Sequence, residues 1–130
     1  MRDRDLSART ASPGDRTVTV IIVEDDIAVA DSLDALLRGA GLETRVFQTA
    51  EDLIAAGPPR PVDTVVVDLG LPGISGSVVL AWLGALAAVP RVIIISGKSS
   101  KTIARETGHL PPFQVLRKPP AADWLDIIAG

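Results

Sequence analysis

Thr64-Val65-Val66-Val67-Asp68 is apolar until its last residue, where a carboxylate ends it. A strand with one wet face would alternate. A strand that is apolar throughout suits a parallel sheet covered on both faces. The pattern recurs: Thr17 to Val23 runs into Glu24-Asp25-Asp26, and Arg91 to Ile95 ends in Ser96. Two shorter β-rich segments are Thr44 to Phe47 and Gln114 to Arg117, the second followed by Lys118.

Helical spacing fills the gaps. Ala30, Leu33, Leu36, Leu37 and Ala40 share one helical face, and Gly39 and Gly41 supply a stop. Thr49-Ala50-Glu51-Asp52 has the form of a capping box with Asp in place of Glu, opening a short helix through Ala56 that ends at Gly57-Pro58-Pro59. Further helices are expected over Ser77 to Leu86, with Trp82 in the buried stripe, over Lys101 to Thr107 before Gly108, and over Ala121 to Ile128. Strand and helix alternate five times, which predicts an α/β, doubly wound parallel sheet with helices on both faces. Such sheets bind ligands beyond the carboxyl ends of their strands, at a switch point in the strand order. Glu24, Asp25, Asp26, Asp68, Ser96 and Lys118 all fall there.

The chain has 130 residues, enough for one core, and is 47% hydrophobic and 22% charged, so it reads as globular. Only 3% is aromatic, so Val, Ile, Leu and Ala must fill that core. The absence of cysteine excludes a disulfide framework and a thiolate nucleophile, and fits a cytoplasmic setting. A net charge of -3 disfavours a mainly nucleic-acid-binding role, and no apolar run approaches a membrane span. Residues 1–16 mix Arg and Asp without an apolar stretch. They read as a mobile tail rather than a secretory signal, leaving residues 17–130 as the domain.

If the first and third strands are neighbours, they lie roughly 4.8 Å apart and crowd Glu24, Asp25 and Asp68. Like charges so placed raise one another's pKa, and a hard divalent cation relieves them. Magnesium suits one or two carboxylates, retained waters and a phosphate oxygen, whereas calcium would need more protein oxygens than are in view. Asp68 can then act as a carboxylate nucleophile and form an aspartyl phosphate. Lys118 can neutralise the phosphoryl group and the Ser96 hydroxyl can donate to it. Gly70 and Gly73 allow close backbone approach after Asp68, and the Gly70 carbonyl is a candidate metal ligand. Lys118-Pro119 is a candidate cis bond. Asp26 reads as a helix cap rather than a ligand. His109 has no second ligand or base at suitable spacing and reads as a loop residue.

Together, Val23-Glu24-Asp25-Asp26, Val67-Asp68-Leu69-Gly70-Leu71-Pro72-Gly73, Ile95-Ser96-Gly97 and Arg117-Lys118-Pro119 resemble the motifs of response-regulator receiver domains, the CheY-like family. The stretch from Asp26 to Phe47 looks closest to the FixJ-type branch. The resemblance spans residues 17–130 and implies a flavodoxin-like five-stranded sheet of order 2-1-3-4-5. It implies two-component signalling, with phosphotransfer from a histidine kinase or phosphotransfer protein to Asp68. It implies magnesium at Glu24, Asp25, Asp68 and the Gly70 carbonyl, and phosphate sensing by Ser96 and Lys118. The family acts as a phosphoacceptor switch rather than an ordinary enzyme, one able to assist its own magnesium-dependent phosphorylation and dephosphorylation. Output is expected through protein contact or a homodimer on the face of the fourth helix, fifth strand and fifth helix, where Lys98, Lys101 and Arg105 cluster. No DNA-binding segment follows the receiver region, so direct DNA binding is not expected.

Three features depart from the family. Val115 stands where a fifth-strand aromatic is usual, so coupling is expected to run through Gly97, Lys98 and the following loop, with Phe113 a substitute on the same face. Pro111-Pro112 shortens the fourth helix. The final helix stops at Gly130, which points to a trimmed chain or an unusually compact regulator. Among rivals, an unphosphorylated pseudo-receiver would not need the full set of acids, hydroxyl and lysine. A phosphohydrolase using an aspartyl intermediate needs a second Asp where Gly70 stands. A flavin site would be repelled by Glu24-Asp25-Asp26.

Overall fold

The computed structural model describes residues 18–110 and 113–130. The expected tail over residues 1–16, the strand residue Thr17 and the pair Pro111-Pro112 lie outside them. Five strands and five helices alternate: β1 (Thr19–Val23), α1 (Ile27–Gly39), β2 (Glu43–Phe47), α2 (Ala50–Ala56), β3 (Thr64–Asp68), α3 (Gly76–Gly84), β4 (Arg91–Ser96), α4 (Ser100–Thr107), β5 (Gln114–Arg117) and α5 (Asp123–Ala129). All neighbours are parallel, in the order β2-β1-β3-β4-β5. The reversal between β1 and β3 is the switch point, and it pairs Val23 with Val67, so Glu24 and Asp68, which follow them, fall side by side at the carboxyl edge.

The period of two along each strand sorts the core onto two faces. Ile21, Val23, Val65, Val67 and Ile94 pack with Leu53, Leu80, Leu83 and Ile103 from α2, α3 and α4. Val20, Ile22, Val66, Ile93 and Ile95 pack with Leu33, Leu37, Trp124 and Ile128 from α1 and α5. Every residue of β3 is buried, as its unbroken apolar run requires. Leu80 is wholly buried, and truncating such a side chain to Ala costs about 2–5 kcal/mol.

Helix starts follow the caps. Asp26 Oδ1 accepts the Val29 N–H at 3.2 Å, so Asp26 caps α1. Thr49 accepts the Asp52 N–H at 3.0 Å and opens α2. Ser99 accepts the Thr102 N–H at 3.1 Å, placing the start of α4 at Ser100 rather than Lys101. α3 and α5 differ most from their expected spans of Ser77 to Leu86 and Ala121 to Ile128. α5 runs Asp123–Ala129. α3 begins at Gly76 and ends at Gly84, because Ala85 donates back to the Ala81 and Trp82 carbonyls and closes the turn. Trp82 is only partly buried against the first face.

Candidate functional site

β1 and β3 deliver their carboxylates to one spot. Glu24 and Asp68 are buried, Asp25 is exposed, and one oxygen from each lies within 4.8 Å of the others. β5 adds Lys118, whose Nζ stands 2.6 Å from Glu24 Oε1 and donates to Asp68 Oδ2 at 3.1 Å. Asp68 Oδ1 accepts the Gly70 N–H at 2.9 Å, and Glu24 Oε2 accepts the Asp26 N–H at 3.1 Å. One ammonium thus serves two buried carboxylates.

The electrostatics record the imbalance. Burial pushes the Glu24 carboxyl up to about 7, and Asp68 adds to the rise, while Lys118 and the Asp26 N–H oppose it. For Lys118, burial pulls the ammonium down. The hydrogen bonds and charges of Glu24 and Asp68 outweigh burial and leave it above its ordinary value. Glu24 Oε1, despite the close ammonium, receives no hydrogen bond of normal geometry among the described residues. An all-oxygen cluster of three carboxylates against one ammonium fits a hard divalent cation.

Ser96 is wholly buried at the end of β4, opposite Arg117. Its carbonyl accepts the Lys118 N–H at 2.9 Å, which ties the ends of β4 and β5 together through the backbone. Its hydroxyl, however, accepts the Lys98 N–H at 2.9 Å and so belongs to its own loop in this conformation. Lys118-Pro119 is cis, as the sequence suggested. Phe113 and Val115 pack against the same face of the core. A Cβ at Gly97 would meet nothing closer than Lys118 Cβ at 4.0 Å, so that position is open.

One expectation needs correcting. The glycine that close approach demands is Gly76, where a Cβ would sit 2.5 Å from the Asp68 carbonyl oxygen and 2.7 Å from Leu69 Cα. Gly70 would place a Cβ in ordinary contact, 3.4 Å from Asp68 Oδ1, whereas Gly73 does need its freedom, at φ +67. A glycine opening an apolar helix was the available signal for Gly76. Lys98, expected to cluster with Lys101 and Arg105 near α4, is paired with Glu106 at 3.0 Å.

A family model described as the response regulator receiver domain matches residues 20–128. The chain belongs to that family. Among curated relatives, this receiver domain is 34% identical over 103 residues to the transcriptional regulatory protein FixJ of Azorhizobium caulinodans, covering 79% of this chain and 49% of that one. It is 38% identical over 93 residues to the sensory transduction protein RegX3 of Mycolicibacterium smegmatis, covering 69% and 40%. The chain spans about half the length of these relatives or less. A CheY-like receiver domain structure from Methylobacillus flagellatus is similar at TM-score 0.71 and 29% identity, over 85% of this chain and 94% of that one. One from Methanospirillum hungatei shares the fold at TM-score 0.76 and 24% identity, over 85% and 90%. Receiver domains are phosphoacceptor switches of two-component signalling. No helix among the described residues is long and apolar enough to cross a membrane.

Proposed function

We propose that this receiver domain takes a phosphoryl group on Asp68 and passes the change to a protein partner. The observation that carries the reading is the convergence of Glu24, Asp25, Asp68 and Lys118 at the switch point. The Asp68 carboxylate supplies an electron pair to phosphorus. The phosphorus–nitrogen bond of a phosphohistidine on a kinase or phosphotransfer protein breaks, and the imidazole keeps its pair and takes up a proton. Lys118 follows the charge from the carboxylate to the phosphoryl oxygens, and Ser96 turns its hydroxyl from Lys98 toward them.

Glu24, Asp25, Asp68 and the Gly70 carbonyl would hold a magnesium ion, which when bound neutralises negative charge on the transferred group. The same residues would let the domain take phosphate from a small donor and lose it to water.

Output runs through Gly97 and Lys98 into α4, with Val115 and Pro119 framing the path and α4, β5 and α5 presenting the contact face to a partner or a second copy. Direct DNA contact is no part of this reading, and the setting is cytoplasmic. The test is intact mass after incubation with magnesium and a small acyl or amido phosphate donor. One phosphoryl adduct in the wild type, absent in Asp68→Asn, supports the reading; an adduct surviving in Asp68→Asn overturns it.

A further inference from the structure

Arg117 ends β5 one residue before Lys118, yet its side chain turns away from the acids. Nη1 donates to Ser100 Oγ at 2.7 Å and Nη2 to the Lys98 carbonyl at 2.9 Å. One guanidinium thus joins β5 to the β4–α4 loop and to the first residue of α4. Lys98 is thereby held at three points. Its N–H donates to Ser96 Oγ at 2.9 Å, its carbonyl accepts from Arg117, and its Nζ donates to Glu106 Oε1 at 3.1 Å and Oε2 at 3.0 Å.

We infer that Arg117 is a positioning residue, the catch of a latch made with Lys98, Ser100 and Glu106 that holds the β4–α4 loop at rest and sets how readily Ser96 turns toward an occupied Asp68. The inference rests on the proposed role of Asp68.

When Ser96 Oγ leaves for a phosphoryl oxygen, the Lys98 N–H loses its acceptor, so that peptide must shift. The other end of the same residue is pinned by Arg117 and its side chain by Glu106. Either the Arg117 fork opens, or Ser100 and α4 move with the loop. An exposed guanidinium gives bonds weak enough to open, and its rigid planar fork holds two donors in fixed directions toward a carbonyl and a hydroxyl, where an ammonium is a point charge on a flexible stem. A cleft of about 390 Å³ lined by Ser100, Ile103, Ala104, Val115 and Arg117 leaves α4 room to move once the catch opens. The small Val115 side chain helps keep that room, so in this chain an arginine restrains the loop beside it. A ligand shifts such an equilibrium only by its differential affinity, so weakening the resting state raises apparent affinity.

The test uses the full chain with magnesium and beryllofluoride, a phosphoryl mimic, followed by amide chemical shifts. Arg117→Ala is expected to bind beryllofluoride about three- to tenfold more tightly, on the scale of one or two exposed hydrogen bonds. In the free protein its Lys98 amide should exchange with solvent about tenfold faster. Arg117→Lys keeps the charge without the fork and should behave like Arg117→Ala. Glu106→Gln should shift affinity the same way, by less. A purely structural arginine would lower melting temperature while leaving beryllofluoride affinity and Lys98 exchange as in the wild type, and that result overturns the latch. Failure of the wild type to bind beryllofluoride would instead sink the Asp68 reading, and the latch's part in switching with it.

Discussion

One strand carries two buried aspartates, Asp63 just before its start and Asp68 at its end, each 4% exposed. Asp63 is fully provided for: it accepts the Arg60 N–H at 2.9 Å, Arg60 Nη2 at 3.0 Å and the Thr19 N–H at 3.2 Å. Nearby, the Arg91 guanidinium donates to the Ile127 and Ile128 carbonyls and closes the end of α5. Asp68 has the Gly70 N–H and a share of Lys118, against Glu24 and Asp25. Equal burial therefore yields opposite chemistry. A carboxylate with its hydrogen bonds complete is a fastener. One left with surplus negative charge beside it is, in the proposed reading, the one that takes a cation and an electrophile.

The comparison can be broken by exchanging the roles. The largest effect is expected from Asp68→Asn, which should lose all phosphoryl labelling while its melting temperature rises, since a repelling charge has gone. Asp63→Asn should do the reverse, costing about 1–3 kcal/mol in denaturant unfolding while still taking label. An Asp63 variant that folds normally but cannot be labelled would erase the distinction.

Next in size is the metal. Excess chelator should abolish labelling, and Glu24→Gln or Asp25→Asn should weaken magnesium binding, read by Trp82 and Trp124 fluorescence, by about tenfold or more. Undiminished labelling in chelator would count against a cation at the acids. Lys118→Ala should still take some label but lose the amide-shift response to beryllofluoride, and a wild-type response would remove Lys118 from sensing. The smallest effect is at Val115. Shifts on beryllofluoride binding should be large from Ser96 to Arg105 and modest at Val115. Shifts confined to Glu24, Asp25 and Asp68 would favour a pseudo-receiver.

Much of this was legible because strand periodicity and strand-end polarity are local signals. The spans of β3, β4 and β5 were readable to the residue, since each apolar run stops at Asp68, Ser96 or Arg117. The sheet order and the crowding of Glu24, Asp25 and Asp68 followed from alternation, the switch point and the resemblance. The end of α3 was not readable, because Leu86 continues the apolar pattern and only the backbone turn at Ala85 closes the helix. Gly76 was missed because its role lies in a contact with the Asp68 backbone, eight positions back. Arg117 and Glu106 were missed because an arginine in a strand and a glutamate in a helix look like solvated charges until the loop between them is seen.

The most direct measurement is fragment mass mapping of the protein after labelling with magnesium and a small phosphate donor. The account predicts a single phosphoryl group on the peptide carrying Asp68, with the peptide region around Asp63 unmodified and no label in chelator. Label on any other carboxylate, or on Asp63 as readily as on Asp68, would contradict it.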